Sequence, residues 1–178
     1  MNPQRSVSRR WHGLPAQLRP EQVEVIVDTR EKQPWDLTPL RMTRAHLDCG
    51  DYALAWLPNV LRIERKSLVD LLGCVGQHRA RFDAEMHRMM AFPCRMLIIE
   101  ASWRQIEEGD YGTSLLRPNQ VRGSLDAWQA RGVSVVLAGN RDSAQRYARR
   151  ILLAAAQTPW RKLRSMAEAL QRNLCHER

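Results

Sequence analysis

No apolar run in the 178 residues approaches the roughly 18 needed to span a bilayer. The basic N-terminus, MNPQRSVSRRWHG, is followed by no apolar segment, so it does not read as a secretory signal. Cys49, Cys74, Cys94 and Cys175 are far apart and form no C-x-x-C pair, which argues against a disulfide framework or a zinc site. His46, His78 and His87 show neither H-x-H nor H-E-x-x-H spacing, so no histidine metal site is expected. Internal repeats and low-complexity tracts are also lacking. What is left is a globular chain of one domain, expected in the cytoplasm or an equivalent reducing compartment, with no membrane partner. Negative charge is scarce as well. The 28 Lys and Arg against 19 Asp and Glu give a net charge of +9 and a pI of about 10.2. Such a balance in a single domain is the footprint of a polyanionic partner, although it does not say which one.

The first 21 residues are polar, basic and aperiodic, and are expected to form a disordered arm. V-E-V-I-V-D (23–28) is a short β-branched run, expected to be a buried strand ending at Asp28. Pro34 and Pro39 punctuate the loop after it. Tyr52–Trp56 and Val60–Glu64 read as a hairpin joined at Leu57-Pro58-Asn59. Ser67 caps a helix expected to reach about Met90, weakened near Gly73 and Gly76. Arg95–Glu100 and Val133–Ala138 are expected strands, residues 107–118 a loop, and Asn119–Arg131 a helix capped by Gly132. A further helix begins at Asp142 or Ser143, and a last basic one covers about Trp160 to Leu174. The alternation predicts an α/β layered domain with a mixed central sheet.

Glu64 and Lys66 are two apart on one strand, so their side chains share a face while Arg65 points the other way. A turn centred on Pro58 would set residue 52 opposite residue 64, with Asp51 adjacent or diagonal to Glu64. Cross-strand neighbours lie about 4.5–8 Å apart at Cβ. Two carboxylates and an ammonium thus meet at one end of the hairpin, and Asp28 could bring a third carboxylate from the neighbouring strand. Clustered carboxylates bind hard cations through oxygen. A lysine beside them suits a reaction in which phosphate charge must be stabilised. A salt-bridged hairpin end accounts for the same spacing equally simply.

The order V-D-T-R-E (27–31), G-D-Y (50–52), E-R-K-S-x-x-D-L (64–71) and L-I-I-E (97–100) resembles the XPF-type nuclease domain, of the PD-(D/E)xK nuclease superfamily. The resemblance covers about residues 23–156. It implies a restriction-endonuclease-like, three-layer α/β/α domain over residues 22–156, between the arm (1–21) and a basic C-terminal helix or tail (157–178). It also implies a Mg²⁺- or Mn²⁺-dependent DNA endonuclease for branched or partly single-stranded DNA, as in repair and recombination. Asp28, Asp51 and Glu64 would be metal ligands and Lys66 would act at the scissile phosphate, with Arg65 and Asp70 as further motif residues of the catalytic site. Arg30 and Glu31 would line the site as DNA contacts. Gln77, Arg79 and Arg81, on the helix that follows, are candidate DNA contacts. Asp70 serves equally as a helix-capping acid; Glu100, which closes the fourth motif, serves equally as a strand-end carboxylate; and Trp35, beside the site, would stack on a base or equally be a core aromatic. Trp56, Trp103 and Trp128 fall on predicted elements and are expected in the core.

The glycine-rich hairpins of helix-hairpin-helix modules are not found after the domain, so the resemblance is to a stand-alone form, of a kind associated with bacteria or phages. Pairing with a second copy through the nuclease domain is a further expectation. Two rivals share the motifs: a catalytically silent DNA-binding scaffold, and an RNA nuclease using the same metal chemistry.

Overall fold

The computed structural model describes residues 13–176. The arm expected over residues 1–21 lies outside the described residues as far as residue 12. Leu18 and Pro15, within its remainder, are tied to the last helix. Six strands form one mixed sheet in the order β2-β1-β3-β4-β5-β6. They are β1 (Glu24–Asp28), β2 (Arg41–Ala45), β3 (Tyr52–Leu54), β4 (Leu61–Lys66), β5 (Cys94–Ile99) and β6 (Ser134–Leu137). The pairs β1–β2, β4–β5 and β5–β6 are parallel, whereas β3 runs antiparallel to both β1 and β4.

Alternation along the strands builds a core on each face of the sheet. Leu97 and Ile99 face a cluster of Leu71, Phe82, Met86, Leu125 and Trp128, carried by α1 (Leu68–Val75), α2 (Arg79–Met89) and α4 (Pro118–Ala130). Met96 and Ile98 face the other way, with Leu61, Ile63 and Val25, against Ala144, Ala148 and Leu152 of α5 (Arg141–His176). The three-layer arrangement expected from the sequence is therefore present.

Several elements differ from expectation, each for a local reason. β2 was not foreseen, because its residues RMTRA sit on a sheet edge exposed on both faces and carry no apolar alternation. The single helix expected to Met90 is two, α1 and α2, broken at Gly76, whose ψ of −114° departs from helix. A short α3 (Trp103–Glu108) was not foreseen and overlaps only the first two residues of the expected loop. Its capping box pairs Ser102 with Gln105.

The two C-terminal helices expected on either side of Pro159 are one helix of 36 residues, about 54 Å long. Proline removes one N–H, but contacts from the N-terminal segment flank this point. The Leu18 amide donates to Gln157 Oε1 (3.1 Å), Gln157 Nε2 donates to the Leu18 carbonyl (2.7 Å), and the Trp160 indole N–H donates to the Pro15 carbonyl (3.0 Å). Only one of the three tryptophans expected in the core, Trp128, is buried, while Trp56 and Trp103 are 41% and 42% exposed. Among the described residues no helix is long and apolar enough to cross a membrane.

Candidate active site

The hairpin register differs by one residue from the expected one. Tyr52 pairs with Ile63, not with residue 64. Two successive turns centre the connection between Leu57 and Pro58: the Leu57 amide donates to the Leu54 carbonyl (3.3 Å) and the Val60 amide to the Leu57 carbonyl (3.1 Å). Carried one residue further, this register sets Asp51 across from Glu64. The Asp51 amide donates to the Ile63 carbonyl (2.7 Å), and Asp51 Oδ2 accepts from the Arg65 amide (2.7 Å). Asp51 thus ends the β3–β4 ladder with its side chain.

Gly50 makes this approach possible. Its φ is +71°, and a Cβ there would lie 3.1 Å from the Ile63 carbonyl oxygen. The left-handed backbone alone costs a non-glycine residue about 1–2 kcal/mol. Gly50→Ala is therefore expected to lower stability by at least that amount in urea denaturation, and to displace Asp51 from Glu64. An unchanged midpoint would show that the loop relaxes freely.

On β4, Glu64 and Lys66 face the α1–α2 side. Lys66 Nζ donates to Glu64 Oε1 and lies 5.0 Å from the centre of the Phe82 ring. Glu64 is 2% exposed, and its Oε2 is buried with no hydrogen-bond partner. Burial pushes both acids upward, Asp51 to about 6 and Glu64 well above the usual carboxylate range, and each is raised further by neighbouring negative charge. Lys66 is held above its ordinary value: burial alone would lower it, but Glu64 and Asp51 outweigh burial. These groups floor a cleft of about 700 Å³.

Asp28 also lines the cleft, but both of its oxygens are engaged. Oδ1 accepts from the Arg30 amide (2.8 Å) and Nε (2.7 Å). Oδ2 accepts from the Leu47 amide (2.6 Å) and Arg30 Nη2 (3.2 Å). Burial would raise its pKa, yet these bonds hold it below the usual value.

Arg65 borders the cleft, but its guanidinium turns to the α5 side, as strand alternation requires. It makes a bidentate pair with Glu100 (2.7 and 2.9 Å) and reaches Glu31 at 3.5 Å. Glu100 also accepts from the Trp35 indole (2.7 Å) and Arg141 (3.2 Å). Trp35 is fully buried and stacked on Tyr52, with ring centres 4.8 Å apart, so it is a core aromatic.

Asp70 exchanges hydrogen bonds with Ser67, its hydroxyl donating to Oδ2 (2.7 Å), and so caps α1 at the cleft's rim. Among the candidate DNA contacts, Arg30, Glu31 and Arg81 line the cleft. Arg79 instead pairs with Asp83 (3.6 Å) and donates to Ser124 (2.8 Å), and Gln77 bonds its neighbour His78 between the two helices. The sequence reading missed Lys32, Glu85 and Arg88, which also line the cleft. The available signal was the spacing 81, 85 and 88 on one helical face.

The family model for the ERCC4 domain matches residues 27–151, a span that contains the whole cleft floor. No curated protein matches the sequence. Among solved structures the chain is similar to XPF from Aeropyrum pernix, with a TM-score of 0.57 and 17% identity, over 75% of this chain and 59% of that one. It is also similar to XPF from Aeropyrum pernix in complex with DNA, with a TM-score of 0.60 and 18% identity, over 77% and 66%. The chain thus spans about three fifths to two thirds of those structures, and at such identity the likeness concerns the fold. With most of the sequence inside the matched span, the chain belongs to the ERCC4 domain family.

Proposed function

We propose that the cleft hydrolyses DNA phosphodiester bonds as a divalent-metal-dependent endonuclease, using Mg²⁺ or Mn²⁺ and acting at branched or single/double-strand junctions. The observation that carries this reading is the unpartnered, buried Oε2 of Glu64 beside Asp51. Two carboxylates brought together in low dielectric repel each other, and Lys66 neutralises only one charge. An oxygen-seeking cation fits this donor set, held by Asp51 and Glu64. Such a cation would lower the pKa of a water and neutralise charge on the phosphate.

The chain's own residues supply the rest. Lys66 is kept protonated and aimed by Glu64, so it can hold a phosphate oxygen as a point charge. Arg81, Arg88, Arg30 and Lys32 place positive charge around the cleft, where a phosphodiester backbone would enter. The DNA complex of the A. pernix neighbour supports DNA as the partner. The reading extends to pairing with a second copy through this domain, which sedimentation equilibrium checks.

The test is cleavage of labelled 3′-flap, splayed-arm and four-way-junction DNA, with matched RNA, in Mg²⁺ or Mn²⁺. Metal-dependent cutting of DNA that is lost in Lys66→Ala is the expected result. Salt-sensitive binding without cutting on any substrate would replace the nuclease with the silent scaffold. Faster cutting of RNA would reassign the substrate.

A further inference from the structure

Six carboxylates line the cleft: Asp28, Glu31, Asp51, Glu64, Asp70 and Glu85. Asp51 and Glu64 form its floor. Of the remaining four, three are committed. Asp28 is clamped by Arg30 and the Leu47 amide. Glu31 accepts from the Gln33 amide (2.5 Å) and pairs with Arg65. Asp70 is engaged by Ser67. Glu85 alone makes no hydrogen bond or ion pair among the described residues.

We propose that Glu85 supplies the third carboxylate of the cation site, in the place that motif order assigns to Asp28. The inference rests on the cleft holding a divalent cation. Helix packing puts Glu85 there. Phe82 and Met86 are buried on α2, and the Phe82 ring lies under Lys66 at 5.0 Å. Residue 85 is one turn further along that helix, next to the cleft floor. Its side chain lines the same cleft as Asp51 and Glu64.

Among the described residues no three His, Cys, Asp or Glu side chains already converge in ligand geometry. A side chain free to turn toward the cation fits the third position. Asp28 cannot turn without giving up Arg30 and Leu47, and its short stem holds it at the end of β1. Glu85, half-buried on a helix face with three rotatable bonds, can turn without breaking a hydrogen bond or ion pair. Asp28 then becomes a positioning residue. It fixes Arg30 and the 46–47 segment against β1, and its amide donates to the Asp51 carbonyl (2.8 Å).

Mn²⁺ binding to the full chain, followed by the electron paramagnetic resonance of free Mn²⁺ at pH 7.5, tests this without any cleavage assay. Glu85→Gln should weaken Mn²⁺ binding by about tenfold or more, with the melting temperature of the metal-free protein unchanged or raised. Asp28→Asn should lower that melting temperature and weaken Mn²⁺ binding clearly less than Glu85→Gln does. Wild-type affinity in Glu85→Gln overturns the assignment, most directly if Asp28→Asn has lost binding. No uptake of Mn²⁺ by the unaltered chain would overturn the metal reading itself, a result distinct from a wrong third ligand.

Discussion

Asp51→Asn is expected to melt higher than the unaltered protein at pH 7.5 without metal, and to have lost nearly all cutting with it. Burial raises the Asp51 carboxyl to about 6 from the ordinary 3.8. A folded-state pKa above the unfolded one means that the native protein holds a proton the unfolded chain has released. Stability is then greatest below about pH 4, falls as pH rises toward about 6 and stays low above it. Roughly two pH units correspond to about 3 kcal/mol at neutral pH. Asparagine keeps the shape and the acceptor for the Arg65 amide but carries no charge. For a chain of this size, a gain of that order is worth roughly 6–12 °C.

Scanning melts from pH 4 to 8 in a chelator should show a falling slope in the native protein and a flatter one in Asp51→Asn. Divalent metal should restore stability to the native protein alone. Cleavage should drop on the order of a thousandfold in the variant, the scale of losing one preorganised electrostatic group. An Asp51→Asn protein that melts lower at pH 7.5, or keeps the same slope, would show that the buried Asp51 carboxylate does not strain the fold. Asp28 and Glu100 work in the opposite direction, being held below their usual values despite burial. Their stabilisation is present above the unfolded carboxylate range and is lost only in stronger acid, so it leaves the upper window clear.

Arg65→Ala should cost about 3–5 kcal/mol in urea denaturation, because it strands Glu100 and Glu31 in a buried site. The side chain is 8% exposed and makes two short bonds to Glu100. Glu100→Gln should cost less, since the amide still meets the Trp35 indole N–H. In a double-mutant cycle, Arg65→Met with Glu100→Leu should recover much of the loss, giving a coupling energy of about 1–3 kcal/mol. Cutting by Arg65→Ala should track the folded fraction. A variant that is as stable as the native protein yet inactive would return Arg65 to the chemistry and refute its role as a strut.

The middle residue of E-R-K is therefore a different kind of residue from its neighbours. Period-two alternation along β4 sends Glu64 and Lys66 to the cleft and Arg65 to the α5 core, a separation legible from the sequence alone. The same holds for β1, β5 and β6, whose apolar content marks them without any tertiary information. The order of motifs also made the layered α/β fold legible, because each lies at the end of a strand or the start of a helix.

Other features depended on contacts between segments distant in the chain. The register of β3 against β4 differed by one residue because the connection folds as two turns, and only the formed backbone bonds reveal that. β2 is stabilised by pairing with β1, and its exposed residues carry no pattern of their own. Asp28, a candidate ligand by motif order, is engaged by Arg30 and by the Leu47 amide, nineteen residues away. Glu85 had no motif, and packing of Phe82 and Met86 is what carries it to the cleft. The sequence by itself determined which residue types alternate and which acids stand beside a lysine, since these follow from local geometry. Only the tertiary structure decided which of those acids are already paired and which remain open, because pairing depends on distances across the fold that no local pattern encodes.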